Sequence, residues 1–166
     1  SRGSYAMTPV AGDYSVTVRV VDSAEPAETA HTDLMLRLGI SPLEIVSEMS
    51  YQYMTMSINI LPVLIPMVEY SGSITAKGGL RPYTWNDEPP PALLSGFIPS
   101  WGLPPALTMD DEGNITGTVN DTSDAATVTL PNGTTISGYF LYKRVTDSQD
   151  PASSVVGLFC IPTIPL

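Results

Sequence analysis

Side-chain catalysis needs a positioned base, nucleophile or metal, and this sequence supplies few groups for any of them. Its only histidine, His31, lies beside Thr32-Asp33 where an apolar strand opens, and reads as an exposed turn residue rather than a general base. Its only cysteine, Cys160, sits in the apolar run Val155-Val156-Gly157-Leu158-Phe159-Cys160-Ile161, which predicts a buried strand and an inert thiol. With one Cys and one His there is no metal-ligand spacing of the zinc type. Oxygen ligands are more plentiful: Asp110-Asp111-Glu112, Asp22 with Glu25, and Asp147 with Asp150. Calcium, however, takes about six to eight oxygens from several loops, and Asp also favours turns for its own hydrogen-bonding reasons. The expectation is therefore no catalytic residue and no cofactor, with Asp110, Asp111 and Glu112 as the calcium candidates.

Two further groups could contact a ligand. Trp101, in Phe97-Ile98-Pro99-Ser100-Trp101-Gly102, is an aromatic on a loop and so a candidate binding residue or a lid on the end of a core. Asn114, Asn120 and Asn132 each open an Asn-x-Thr sequon and are glycan acceptors if the source glycosylates asparagine.

The elements that would position these groups are short strands. Sixteen prolines and thirteen glycines in 166 residues leave little room for long helices, because proline lacks the N–H and clashes with the preceding turn. Hydrophobic residues make up 43% and support a packed core. Charged residues make up 14%, against roughly 25% in an average domain, so surface polarity must come largely from Ser, Thr and Asn. The net charge of −10 rests on only seven scattered Lys and Arg, which argues against nucleic acid and against an anionic membrane surface. Residues 58–68 are apolar but broken by Asn59, Pro62 and Pro66, and too short to span a bilayer. They predict a bent buried strand or a segment that pairs with another chain. A lone cysteine rules out an internal disulfide and points to a prokaryotic surface rather than a eukaryotic ectodomain. No leader opens the chain, so secretion implies either a mature form or an engineered piece of the protein.

The chain also repeats itself. Tyr14-Ser-Val-Thr-Val-Arg19-Val-Val-Asp22-Ser23-Ala-Glu-Pro26-Ala27 returns, 125 positions later, as Tyr139-Phe-Leu-Tyr-Lys-Arg144-Val-Thr-Asp147-Ser148-Gln-Asp-Pro151-Ala152, with seven of fourteen positions identical. Each copy predicts a period-2 strand, an Asp-Ser turn with proline, and a second strand, over residues 33–40 and 154–164. Tyr14, Val16, Val18 and Val20 would share one face, with Ser15, Thr17 and Arg19 on the other. The second copy puts Lys143 where Val18 stands, which suggests an edge strand or a contact surface.

Between the copies, Tyr70-Ser71, Ala76-Lys77-Gly78-Gly79, Pro82-Tyr83-Thr84-Trp85, Leu103-Pro104-Pro105-Ala106-Leu107 and Gly113-Asn114-Ile115-Thr116-Gly117-Thr118 follow in order, closed by Arg144-Val145-Thr146-Asp147. This order resembles the bacterial immunoglobulin-like (cadherin-like) repeats of cell-surface proteins, over about two thirds of the chain. Thr8-Pro9-Val10-Ala11-Gly12-Asp13-Tyr14 looks like the tail of a preceding repeat. Ala106 departs from the glycine of the family pattern.

The resemblance implies an all-β fold: an immunoglobulin-like β-sandwich of antiparallel strands with an additional N-terminal strand pair. Residues 1–41 are expected to be the C-terminal strand pair of a partial repeat. Residues 42–166 are expected to be a complete repeat with insertions at 46–69, 86–102 and 119–137, the last an extra hairpin turning at Pro131-Asn132-Gly133. The expected role is a structural or adhesive, non-enzymatic module of a secreted prokaryotic cell-surface protein. The alternatives are a filament subunit assembled by inter-subunit strand pairing and a carbohydrate-binding accessory domain. Expected partners are other protein chains or copies of itself, with surface glycans as a further candidate, no nucleic acid and no membrane insertion. The expected location is extracellular or at the cell surface.

Overall fold

The computed structural model describes residues 12–53 and 55–164, so residues 8–11 of the expected preceding-repeat motif lie outside the described part. The chain divides into two compact units, Ser1–Ser41 and Pro42–Leu166.

The first unit is a long antiparallel pair, β1 (Gly12–Val21) and β2 (Thr29–Leu38). Tyr14 faces Leu36, Val16 faces Leu34, Val18 faces Thr32 and Val20 faces Ala30. Since directly paired residues share a face, one side of the ribbon is apolar. The other carries Asp13 opposite Arg37 and Thr17 opposite Asp33, held by an ion pair of 2.8 Å and a hydroxyl–carboxylate hydrogen bond of 2.6 Å. The second strand begins four residues earlier than the sequence suggests. Ladder pairing with Val18, Arg19, Val20 and Val21 carries through Thr29, Ala30, His31 and Thr32, so His31 is an exposed mid-strand residue opposite Arg19 rather than a turn residue.

The second unit has a large sheet and a small one. In chain order its strands are β3 (Glu44–Val46), β4 (Met49–Tyr53), β5 (Met56–Ile60), β6 (Glu69–Ser73), β7 (Thr75–Lys77) and β8 (Thr84–Asp87). A single helical turn, α1 (Ala92–Ser95), precedes β9 (Leu107–Met109), β10 (Asn114–Thr118), β11 (Ala126–Thr129), β12 (Thr135–Thr146) and β13 (Ser154–Pro162). The large sheet runs β11-β12-β13-β5-β4, with β8 on β12 as well. It faces a three-stranded sheet, β6-β10-β9, while β3 and β7 form a short pair. Together the layers make an all-β, immunoglobulin-like antiparallel sandwich, with β1–β2 as the additional N-terminal pair. One pairing departs from the antiparallel rule: β5 runs parallel to β13, with Ile58 beside Leu158 and Ile60 beside Cys160.

Two cores explain the length of β12 and β13. Tyr139, Leu141, Phe159 and Ile161 point into the sandwich and meet Tyr70, Leu107 and Ile115 of the small sheet. Phe140, Leu158 and Cys160 point the opposite way, yet they are buried too. They pack with Ile58, Ala126 and Val128 and with Leu94 and Ile98 of the 86–102 segment. That segment is therefore the cover of a second core on the outer face of the sheet. Residues 119–137 contribute β11 and the first part of β12 around a Leu130–Thr134 turn in which Gly133 has a φ of 82°.

Within 46–69, β4 and β5 extend the large sheet, and the chain then crosses toward the small one. Leu61 N–H and Leu64 N–H donate to the carbonyls of Cys160 and Pro162, and the Tyr70 hydroxyl donates to Pro62 at 3.1 Å. The bend expected at the prolines is thus a sheet-to-sheet crossing.

Candidate functional site

The Asp-Ser turns of the two copies are built alike. In the first, Asp22 Oδ1 accepts the N–H groups of Ala24 and Glu28, at 3.1 and 2.8 Å, and Asp22 N–H donates to the Glu28 carbonyl. In the second, Asp147 Oδ1 accepts the N–H groups of Gln149 and Ser153, at 3.2 and 2.8 Å, and Asp147 N–H donates to Ser153. A short carboxylate capping its own turn is the local reason for Asp at this position. The following X–Pro bond is cis in both, at Glu25-Pro26 and Asp150-Pro151.

The second turn has an additional partner. Leu80 N–H donates to Asp147 Oδ2 at 3.2 Å, and the Gln149 side-chain amide donates to the same oxygen. The Ser148 hydroxyl donates to the carbonyls of Leu80 and Arg81, at 3.0 and 2.7 Å. Burial pushes the Asp147 carboxyl upward, but these hydrogen bonds hold it on balance below the ordinary carboxylate range. The loop reaches this close because Gly78 and Gly79 take φ of 73° and 57°, a region that β-carbons disfavour. The Tyr83 hydroxyl closes the loop onto the Gly78 carbonyl at 2.6 Å.

Two ion pairs lie along β8 and the segment after it. Arg144 and Glu88 form a two-pronged pair with both N–O distances at 2.8 Å, and its hydrogen bonds lower the Glu88 carboxyl and raise the guanidinium. Lys143, which the sequence placed on an edge or contact surface, lies instead in a central strand between β13 and β8. Its stem is buried and its ammonium reaches the exposed Asp87 at 2.6 Å.

The candidate residues from the sequence are dispersed. Trp101 packs edge-on against Tyr142 and borders the outer core, so its ring caps that core; its buried indole N–H has no acceptor among the described residues. Asp110 spends both oxygens locally: Oδ1 accepts the N–H groups of Glu112 and Asn114, and Oδ2 accepts the Asn114 amide. These bonds, the Asn114 side chain's first, lower its carboxyl, while Asp111 and Glu112 are exposed. Among the described residues no three His, Cys, Asp or Glu side chains gather as a metal cluster. Asn114, Asn120 and Asn132 are all exposed; Asn114 has its amide engaged, and Asn132 uses its oxygen to accept Thr134 N–H. Cys160 is fully buried and its thiol is pushed up to about 12.

A cleft of about 690 Å³ opens where the two sheets part, lined by Glu48, Asn59, Ser71, Asp110, Asn114 and Thr116 among others. Several of its polar groups are already committed, Asp110 and Asn114 to each other and Asn59 to the Leu158 carbonyl at 2.9 Å.

The most distinctive surface belongs to the N-terminal strand pair. On β1–β2 the apolar face is exposed: Val16 is 42%, Val18 40%, Val20 63%, Leu34 53% and Leu36 50% accessible. Its counterpart on β12–β13 is core. Contiguous apolar surface of this kind marks an interaction site far more often than scattered single residues do. Among the described residues, no helix is long and apolar enough to cross a membrane.

No family model and no curated protein matches the chain. Among solved structures it is similar to the Protocadherin GammaB4 extracellular domain, at 14% identity and a TM-score of 0.42, over 91% of this chain and 22% of that one. It is also similar to Protocadherin Gamma B2 extracellular cadherin domains 1-5, at 13% identity and a TM-score of 0.39, over 93% and 26%. For Protocadherin Gamma B2 extracellular cadherin domains 3-6 the figures are 11%, 0.41, 92% and 34%. The chain thus spans between 22% and 34% of the length of these structures, and likeness at this level bears on neither activity nor partners.

Proposed function

We propose that the chain is a structural or adhesive module of a secreted prokaryotic cell-surface protein, built from tandem immunoglobulin-like repeats of the bacterial kind. Residues 1–41 are read as the closing strand pair of one repeat and residues 42–166 as the next repeat, carrying insertions at 46–69, 86–102 and 119–137. The observation that carries this reading is the recurrence of one strand pair and turn, with the same side-chain caps, at a fixed spacing. Repetition of one unit extends a protein in one dimension, which suits a stalk or adhesin and gives an enzyme no site by itself.

A filament subunit assembled by inter-subunit strand pairing has less support. Among the described residues there is one three-stranded sheet of the β6-β10-β9 kind, and β12–β13 already packs on it.

The test is surface exposure on intact source cells. Antibody against the folded chain should label unpermeabilised cells, external protease should remove the label, and deletion should weaken attachment or surface assembly. Labelling seen only after permeabilisation would overturn the proposal.

A further inference from the structure

The two strand pairs superpose residue for residue in register. Tyr14 faces Leu36 as Tyr139 faces Ile161, Val16 faces Leu34 as Leu141 faces Phe159, and Val20 faces Ala30 as Val145 faces Val155. The same shift of 125 positions relates both strands and the turn between them. What differs is what lies against them. In the second unit Leu141, Phe159 and Ile161 are buried on Tyr70, Leu107 and Ile115, and the turn receives Leu80 N–H on Asp147 Oδ2 and offers the Ser148 hydroxyl to Leu80 and Arg81. In the first unit Val16, Leu34 and Leu36 are exposed, and among the described residues Asp22 Oδ2 and Ser23 make no hydrogen bond.

Every group that completes the inward face of the second pair comes from upstream of it in the same chain, within residues 43–125. The chain carries one such set. Gly78-Gly79 is the only Gly-Gly in the sequence, and the loop it opens is already closed on Asp147. Two strand pairs and one cover leave one pair without a cover, and a second copy of the chain brings the same imbalance. Moved back by 125 positions, residues 43–125 fall ahead of Ser1.

We infer that the apolar face of β1–β2 and the Asp22-Ser23 turn are the docking site of an upstream segment of the same polypeptide. That segment folds as the counterpart of β6, β9 and β10 and brings its own Gly-Gly loop to Asp22. Its backbone N–H, at the position of Leu80, donates to Asp22 Oδ2, and its carbonyls accept the Ser23 hydroxyl. Its glycine at the position of Gly79 is required for the approach, because a β-carbon on Gly79 would run into Asp147 Oδ2. Two strands without a cover are only marginally stable in water, which gives the docking its driving force.

This inference rests on the tandem-repeat reading but not on where the protein resides, so its test is made in solution. Amide hydrogen exchange is measured on the 166-residue chain and on the native polypeptide that includes the sequence ahead of Ser1, with mass followed by light scattering. In the shorter chain, β1–β2 should exchange about a hundredfold or more faster than β12–β13, and in the longer one the gap should close to about tenfold, as expected when a local unit joins a cooperative core. Asp22→Ala in the longer protein should reopen the gap while the protein stays monomeric. A native polypeptide beginning at Ser1, or exchange in β1–β2 that is unchanged by the upstream sequence, would overturn the inference. Protection that appears in the shorter chain only as a dimer forms, and that Val18→Lys abolishes, would instead assign the face to a second copy.

Discussion

Gly79 lies so close beneath Asp147 that any side chain at that position would displace the carboxylate from the Leu80 N–H it accepts. The contact joins the loop before β8 to the turn after β12, elements 67 residues apart in sequence. It makes Gly79 the residue through which the first half of the repeat is keyed to its last two strands.

Gly79→Ala should therefore destabilise the fold by more than its conformation alone requires. A left-handed φ costs an alanine roughly 1–2 kcal/mol, and displacement of Asp147 adds to that. Gly133→Ala is the matched control, since Gly133 has a φ of 82° and open space where a β-carbon would go. Urea midpoints should fall for both variants and further for Gly79→Ala. Equal losses would remove the keying role.

Phe140 and Val16 separate the two strand pairs energetically. Phe140 is fully buried in the outer core, so Phe140→Ala should cost about 3–5 kcal/mol and bring the second unit close to unfolding. Val16→Ala in the 166-residue chain should change the main urea transition by less than about 0.5 kcal/mol, because exposed positions away from caps and cores seldom do more. A large effect at Val16 would mean that the ribbon face is covered in solution.

The outer core also marks the limit of what the sequence makes legible. The strand-pair repeat is visible because its causes are local: alternation along Tyr14, Val16, Val18 and Val20, and an Asp that caps its own turn. Phe140 and Cys160 break the alternation, and their burial depends on Leu94 and Ile98 arriving from an insertion more than 40 positions upstream. Nothing local to Ala92–Ser95 announces that role. Trp101 was for the same reason readable either as a binding residue or as a lid, and the structure places it against Tyr142 at the border of this second core. Lys143 misled in the opposite direction. A lysine on an inward face suggests an edge, but its stem packs in a central strand while the charge escapes to Asp87.

That geometry makes Lys143→Met an informative variant. The aliphatic stem already occupies the buried space, and the partner carboxylate is 87% accessible, so the ion pair contributes little. Methionine keeps the volume and removes the need to bring an ammonium to the surface. Stability by urea titration should stay within about 1 kcal/mol or rise. A loss of several kcal/mol would show that the Lys143–Asp87 pair holds β8 in place.

Response to pH should differ at the two ends of the scale. Asp110, Asp121, Asp147 and Glu88 all have carboxyls held below the ordinary range by hydrogen bonds. For such groups the folded state binds its proton later than the unfolded chain, so their stabilisation is present above about pH 4 and is lost as pH falls further, through the lowered folded values. Cys160 and Tyr70 behave in the opposite way. Burial pushes the Cys160 thiol up from 9.0 to about 12, so the unfolded chain gives up this proton first, and stability is lost as pH rises from about 9 toward 12. Burial likewise pushes the Tyr70 hydroxyl up to about 12 and extends the loss at the upper end of that range. Urea midpoints measured across pH should form a plateau with both shoulders, and Cys160→Ala should flatten the lower part of the alkaline one. A thiol reagent supplies the direct check: at pH 8 the native chain should react with it only at the rate of unfolding, since the buried thiol yields no thiolate while folded. Rapid labelling of the folded protein would place Cys160 at the surface and dissolve the outer core as described.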